Sequence, residues 1–139
     1  MNKFYYTSEE LRPKRATEGS AGYDFFSPKD FIVPAHHVSE VIDTGVSVQL
    51  QKEYVLMCFV RSSFGFKKNT TLVNGTGIID SDYYPNHIFC RLKNDGDEDL
   101  VIHKGDKMMQ AIFMKYYTED DEDKSHMKIR DGGIGSTGK

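Results

Sequence analysis

The sequence predicts an all-β domain, a sandwich or barrel with one short helix, and three observations carry that expectation. Short runs rich in Val, Ile, Phe and Tyr recur along the chain, turn signals separate them, and a single stretch after Arg61 has helix-start chemistry. Many short strands at such spacing close into sandwiches or barrels. The 139 residues suit one domain with a modest core.

The strands follow in order. Phe31-Ile32-Val33 lies between the turn signals Ser27-Pro28 and Val33-Pro34, and residues 45–50 (GVSVQL) run up to Gln51-Lys52. The apolar stretch 54–60 ends at Arg61, and Ser62 is placed to cap a short helix over 63–68. Residues 77–79 and 87–92 form the next pair, and Asn94-Asp95-Gly96-Asp97 closes the second of them. Leu100-Val101-Ile102 and residues 109–117 flank the turn Lys104-Gly105-Asp106. The run Glu119-Asp120-Asp121-Glu122-Asp123 lacks apolar periodicity and its carboxylates repel one another, so a solvated linker is expected there. The expected organisation is a β domain over 1–118, an acidic and polar linker over 119–129, and a glycine-rich segment over 130–139. Two readings fit that last segment: a frayed terminus, or an arm that orders over a ligand.

Composition narrows the function. Hydrophobic residues at 38% and charged residues at 28% describe an ordinary globular chain. The longest apolar run, Val55-Leu56-Met57-Cys58-Phe59-Val60, is far too short for a bilayer, and the N-terminal residues lack a signal-peptide pattern, so a cytoplasmic protein without membrane contact is expected. A net charge of −3 argues against a nucleic-acid binder, which needs clustered basic residues. A small polyanion needs only a local basic pocket, which Arg61, Lys107 and Arg130 can supply, whereas Lys67 and Lys68 read as solvated charges. Cys58 and Cys90 sit among apolar strand residues and read as buried hydrophobes. His36-His37, adjacent on an extended chain, would point to opposite faces and share no metal.

Five segments carry residue types suited to a triphosphate and a nucleoside: Ala21-Gly22-Tyr23-Asp24-Phe25, Arg61-Ser62-Ser63-Phe64-Gly65, residues 74–83 (NGTGIIDSDY), Gly105-Asp106-Lys107-Met108-Met109-Gln110, and residues 130–138 (RDGGIGSTG). In the third, an apolar strand ends in Asp80, which places a carboxylate at a rigid, partly desolvated position as the candidate general base. Asp80 and Asp82 also read as turn formers around Ser81, and Asn74-Gly75 reads as a turn dipeptide. Ser62, Ser63 and Gly65 offer hydroxyls and N–H groups at a helix start, a setting phosphate favours. Arg61 adds a fixed charge with fork geometry. Gln110 is an odd residue for an otherwise apolar strand.

Together and in order, the five segments resemble the five motifs of the trimeric dUTPase family, and they span residues 21–138. The resemblance implies a jelly-roll-type β-barrel, hydrolysis of dUTP to dUMP and pyrophosphate with Mg²⁺, and a homotrimer whose active sites are each built from three subunits. Asp80 would orient the attacking water, and Tyr83 would pack on the deoxyribose where a 2′-hydroxyl clashes. Asn74 and the main chain around Gly77 and Ile88 would read the uracil edge. Arg61, Ser62, Ser63, Gly65 and Gln110 would hold phosphates, and Asp24 would reach Mg²⁺ through water, consistent with the few carboxylates that ion takes. Arg130 would meet the γ-phosphate and pin a C-terminal lid, with Gly135, Ser136 and Thr137 as further donors. Ile134 stands where most members carry a phenylalanine over the uracil, and Asp131 adds a negative charge nearby. Lys107 and Met109 replace a more usual arginine and alanine, and Tyr84-Pro85-Asn86 replaces a glycine-containing turn.

Two alternatives follow from the same fold. A dCTP deaminase shares the Arg-Ser-Ser segment, but residues 87–92 (HIFCRL) lack the glutamate that deamination needs. The other is a non-catalytic module that senses nucleotide or docks a partner.

Overall fold

A computed structural model describes residues 1–130. Its strands, in chain order, are β1 (Lys3–Tyr6), β2 (Tyr23–Phe26), β3 (Phe31–Val33), β4 (Ile42–Asp43), β5 (Val46–Gln49) and β6 (Tyr54–Phe59). After helix α1 (Ser62–Lys68) come β7 (Thr70–Leu72), β8 (Gly77–Ile79), β9 (Phe89–Cys90), β10 (Leu92–Asn94), β11 (Leu100–Ile102) and β12 (Lys107–Lys115). Every pairing is antiparallel. Early strands meet late ones, β2 with β12, β3 with β11 and β4 with β9 in nested order, while β7 pairs with β10 just outside the innermost of these. A long double ribbon rolled on itself gives that nesting, which is the jelly-roll-type barrel with one helix that the sequence predicts. No helix among the described residues is long and apolar enough to cross a membrane.

The barrel encloses one core. Phe25, Val33, Ile42, Val46, Val48, Leu56, Leu92 and Ile102 are buried on its inner side, and their alternation with outward residues is the period-two pattern of a strand. The register of β12 against β2 shifts between Lys107 and Met109. That bulge lets Met108 and Met109, neighbours in sequence, both turn inward, and it leaves Gln110 on the outer face opposite Asp24 and Phe59. Cys58 and Cys90 are buried as expected. Burial pushes both thiols up to about 12, so neither is a nucleophile near neutral pH.

Several local expectations are corrected. β1, β2, β4 and β7 are strands where none was expected. β1 is held by aromatic packing: the Phe4 ring lies 5.2 Å from Tyr23, 5.8 Å from Phe25 and 5.1 Å from Phe113, centroid to centroid. Residues 87–92 are not one strand but two short ones, β9 and β10. Ser62 does not cap α1; Arg61 occupies the N-cap without a side-chain bond, and Ser62 opens the helix itself. His36 and His37 lie in a turn, where His36 has φ 60° and its ring meets Asp97 at 2.9 Å.

Candidate active site

The ends of β2, β6 and β12 and the start of α1 enclose a cleft of about 600 Å³, lined among others by Gly22, Asp24, Arg61, Ser62, Ser63 and Gln110. Three of the five sequence segments therefore converge in one chain. Each arrives for a local reason. β6 ends at Phe59, and the chain turns at Arg61 into α1, so the N–H groups and hydroxyls of Ser62 and Ser63 lie in the first helical turn, which has no preceding turn to bond to. Gly65 does not supply the free N–H expected of it, because that group donates to the Arg61 carbonyl at 3.2 Å.

Arg61 is half-buried. Its Nη1 donates to the Lys107 carbonyl at 3.3 Å and its guanidinium lies 5.0 Å from the Phe64 ring centroid, contacts that fix the fork beside the cleft. Asp24, with only 16% of its side chain exposed, pairs with Lys107 at 3.3 Å. Gln110 donates through Nε2 to the Val60 carbonyl at 3.1 Å. A Cβ on Gly22 would sit 2.5 Å from the Gln110 Oε1, so Gly22 is what leaves room for that amide. No local pattern signals this, since the two residues meet only across the β2–β12 pairing. Gly22→Ala is expected to lower kcat/KM by about ten- to a hundredfold through misplacement of Gln110. The melting temperature should stay near that of the parent, which thermal unfolding alongside steady-state kinetics will check.

The third segment lies elsewhere on the barrel. β8 is an edge strand of the four-stranded sheet β2-β12-β6-β8, so alternate main-chain groups along it have no ladder partner among the described residues. Asn74-Gly75 is indeed a turn, with Gly75 at φ 75°, and the Asn74 Nδ2 lies 3.7 Å from where a Gly77 Cβ would be. A Cβ there would also press on Cys58 at 3.0 Å, so Gly77 brings β8 close to β6. Asp80 precedes a 3-10 turn over Ser81–Tyr83 and makes no capping bond. Its carboxylate is thus not consumed by the turn. Its side chain is 53% exposed, and among the described residues its side-chain partner is Arg130.

Arg130 pairs with Asp80 through Nη2 and with Asp82 through Nε, the latter at 2.7 Å, and its guanidinium lies 5.9 Å from the Tyr83 ring centroid. Only 10% of this side chain is exposed. The partnership with Asp82 is one that sequence reasoning missed, although both residues lie within recognised segments. Tyr83 is buried and its hydroxyl donates to the His87 carbonyl at 2.6 Å. Burial raises the Tyr83 hydroxyl above its ordinary value, with Arg130 opposing and Asp43 reinforcing, so the group stays a donor. Ile88 is not available as expected: its N–H donates to the Val46 carbonyl at 2.7 Å, and its own carbonyl accepts from the Thr44 N–H at 3.1 Å and hydroxyl at 2.6 Å. Ile134, Gly135, Ser136 and Thr137 lie outside the described residues.

The two groups are far apart. Ile79 pairs with Leu56, so Asp80 lies level with Val55, while Arg61 is six residues further along, about 20 Å at strand rise. One chain therefore presents a donor-lined cleft at one end of β6 and a carboxylate beside a buried tyrosine at the other.

Comparison with known proteins decides the family. The sequence matches the dUTPase family profile over residues 10–138.

The chain belongs to the dUTPase family. It is 38% identical over 131 residues to the deoxyuridine 5′-triphosphate nucleotidohydrolase of Lactococcus lactis, covering 91% of this chain and 87% of that one. Among solved structures, the dUTPase of Streptococcus mutans is 36% identical with a TM-score of 0.75, covering 86% of this chain and 98% of that one. A mutant dUTPase from phage phi11 of S. aureus, described with a structural Mg(II) ion, is 23% identical with a TM-score of 0.75, covering 88% and 95%; at that identity it speaks for the fold alone. The dUTPase fold accounts for the nested pairing and for the cleft between β2, β12 and α1. The deaminase and binding-module alternatives gain no support from these relatives.

Proposed function

We propose that this chain hydrolyses dUTP to dUMP and pyrophosphate, in the cytoplasm, by attack of an Asp80-oriented water at the α-phosphorus. The observation that carries the reading is the cleft in which Arg61, Ser62, Ser63, Gln110 and Asp24 converge, since it offers hydroxyls, amide and guanidinium donors to a polyphosphate, with one carboxylate beside it. Phosphates in the cleft would accept from Ser62, Ser63 and Gln110, and Arg61 would neutralise charge that shifts toward the leaving pyrophosphate. Asp24 fits a hydrated Mg²⁺: it is one carboxylate facing the cleft, its present partner is an exchangeable lysine, and no group of three or more metal-ligating side chains occurs among the described residues. When bound, the ion would neutralise phosphate charge. Asn74 and the unpaired groups of β8 would read the uracil edge, and Tyr83 would close on the deoxyribose. Arg130 would leave Asp80 and Asp82 for the γ-phosphate, exchanging two carboxylates for another anion, while Gly135, Ser136 and Thr137 add donors and Ile134 packs over the base.

The same geometry supports a homotrimer with shared sites. Asp80 lies about 20 Å from Arg61 along the sheet of its own chain, so the cleft needs a carboxylate from another copy. The outer face of the sheet supports this, with Ile112, Met57 and Ile78 side by side across three strands and Ile78 63% exposed. Phe59 and Ile112 of that face also line the cleft, so a copy docked there borders it. Met57→Lys would bury an uncompensated charge in that contact. It is expected to yield monomers by light scattering and to lower activity at least about a hundredfold, with the monomer still folded.

The direct test supplies purified protein with Mg²⁺ and, in turn, dUTP, dCTP, dTTP and UTP, and follows pyrophosphate and ammonia. Pyrophosphate from dUTP alone is expected. Ammonia from dCTP, or no product from any of the four, would overturn the reading.

A further inference from the structure

Tyr83 owes its position to a set of bonds that no phosphate- or base-binding group explains. Its hydroxyl donates to the His87 main-chain carbonyl at 2.6 Å. The His87 ring in turn meets Asp43, with Nδ1 2.9 Å from Oδ1 and 3.2 Å from Oδ2. The same Asp43 Oδ1 accepts the Gly45 N–H at 2.8 Å. Both neighbours of this bridge are tied in as well: Asn86 donates its N–H and Nδ2 to the Tyr83 carbonyl at 3.0 and 2.9 Å, and Ile88 is bonded to Thr44 and Val46. Loop 83–88 is therefore fastened to residues 43–46, and Asp43 supplies the carboxylate of the fastening.

Resting on the reading of Tyr83 as the face that meets deoxyribose, we propose that Asp43 and His87 are positioning residues for sugar selection. Together they hold the acceptor of the Tyr83 hydroxyl so that the ring stays where a 2′-hydroxyl cannot fit. The physical case is one of rigidity. A ring excludes an extra oxygen only if it cannot retreat, and a shift of roughly an ångström admits a hydroxyl in place of hydrogen. Tyr83 is buried, but its polar end is fixed by a single hydrogen bond to a loop carbonyl. That loop is anchored at its exposed side by the carboxylate–imidazole contact, a charge-assisted bond of the stronger kind. Asp43 and His87 touch neither phosphate donors nor the cleft, so their loss should alter discrimination more than turnover.

The test compares kcat/KM for UTP and dUTP in the assembled protein. Asp43→Ala and His87→Leu are each expected to raise the UTP-to-dUTP ratio about tenfold, the scale of one hydrogen bond to a charged group, while dUTP turnover changes much less. Asp43→Asn keeps an oxygen where Oδ1 accepts both the ring and the Gly45 N–H, so it should hold the ratio within about twofold of the parent. Should Asp43→Ala unfold, His87→Leu decides the matter, because that ring is partly exposed and outside the core. Tyr83→Ala serves as the reference: it should raise the ratio by more than either. If it does not, the sugar-gate reading is wrong and this inference falls with it. A raised ratio for Tyr83→Ala with an unchanged ratio for both Asp43→Ala and His87→Leu leaves the gate standing and overturns the positioning role alone.

Discussion

Asp80→Asn is expected to lower dUTP turnover by about a thousandfold, within the range that removal of a positioned general base produces. The substitution is nearly isosteric and leaves an oxygen at the same place, yet an amide is too weakly basic to take a proton from water. The carboxylate is free for that work because it makes no capping bond to the turn that follows. Its only partner among the described residues is Arg130, a group that the nucleotide's own phosphates can draw away. Stability should hardly change, since Asp80 is more than half exposed and such ion pairs contribute about 0–1 kcal/mol. Binding of a non-hydrolysable dUTP analogue should stay within about twofold. Single-turnover kinetics and calorimetry separate the two quantities, and an unchanged rate would assign the base elsewhere.

Deleting residues 130–139 is expected to lower kcat/KM by at least about a hundredfold while the melting temperature stays nearly constant. The activity loss follows from the role proposed for Arg130, since a guanidinium on the γ-phosphate would stabilise charge on the leaving pyrophosphate, and one such donor is worth about a hundred- to a thousandfold in rate. Constancy of the fold follows from the core, whose buried members run from Phe25 to Ala111 with Phe4 and Phe113 packed against them. The polar and cation–π partners of Arg130 among the described residues are Asp80, Asp82 and the Tyr83 ring, all outside that core. Arg130→Ala should reproduce most of the loss. Full activity in the truncated chain would remove the C-terminal segment from the mechanism.

The chemistry-bearing residues were legible because each sits in a short segment whose types are unusual for their surroundings, such as Gln110 within an apolar strand or Arg61-Ser62-Ser63 directly after one. Strands with continuous apolar runs, such as β6 and β11, were equally plain. The missed strands β2, β4 and β7 are two to four residues long and mix in polar side chains. Nothing local marks them, because a distant partner strand satisfies their main chain. Ile88 and Gly65 failed in the role assigned to them for a related reason: their N–H groups were taken by Val46 and Arg61, and a sequence motif does not display the state of the main chain.

Side-chain type and order were enough to establish the β class, the single helix and the family, and to nominate the site residues. How that inventory divides emerged from the folded chain. Folding drew Asp24, Arg61, Ser62, Ser63 and Gln110 into one cleft and put Asp80 at the far end of β6. It also set Gly22 where it makes room for Gln110, and Asp43 and His87 where they brace Tyr83. The physical reason is that these relations run across paired strands. Register and strand length set the distances between residues far apart in sequence, and composition carries no record of them.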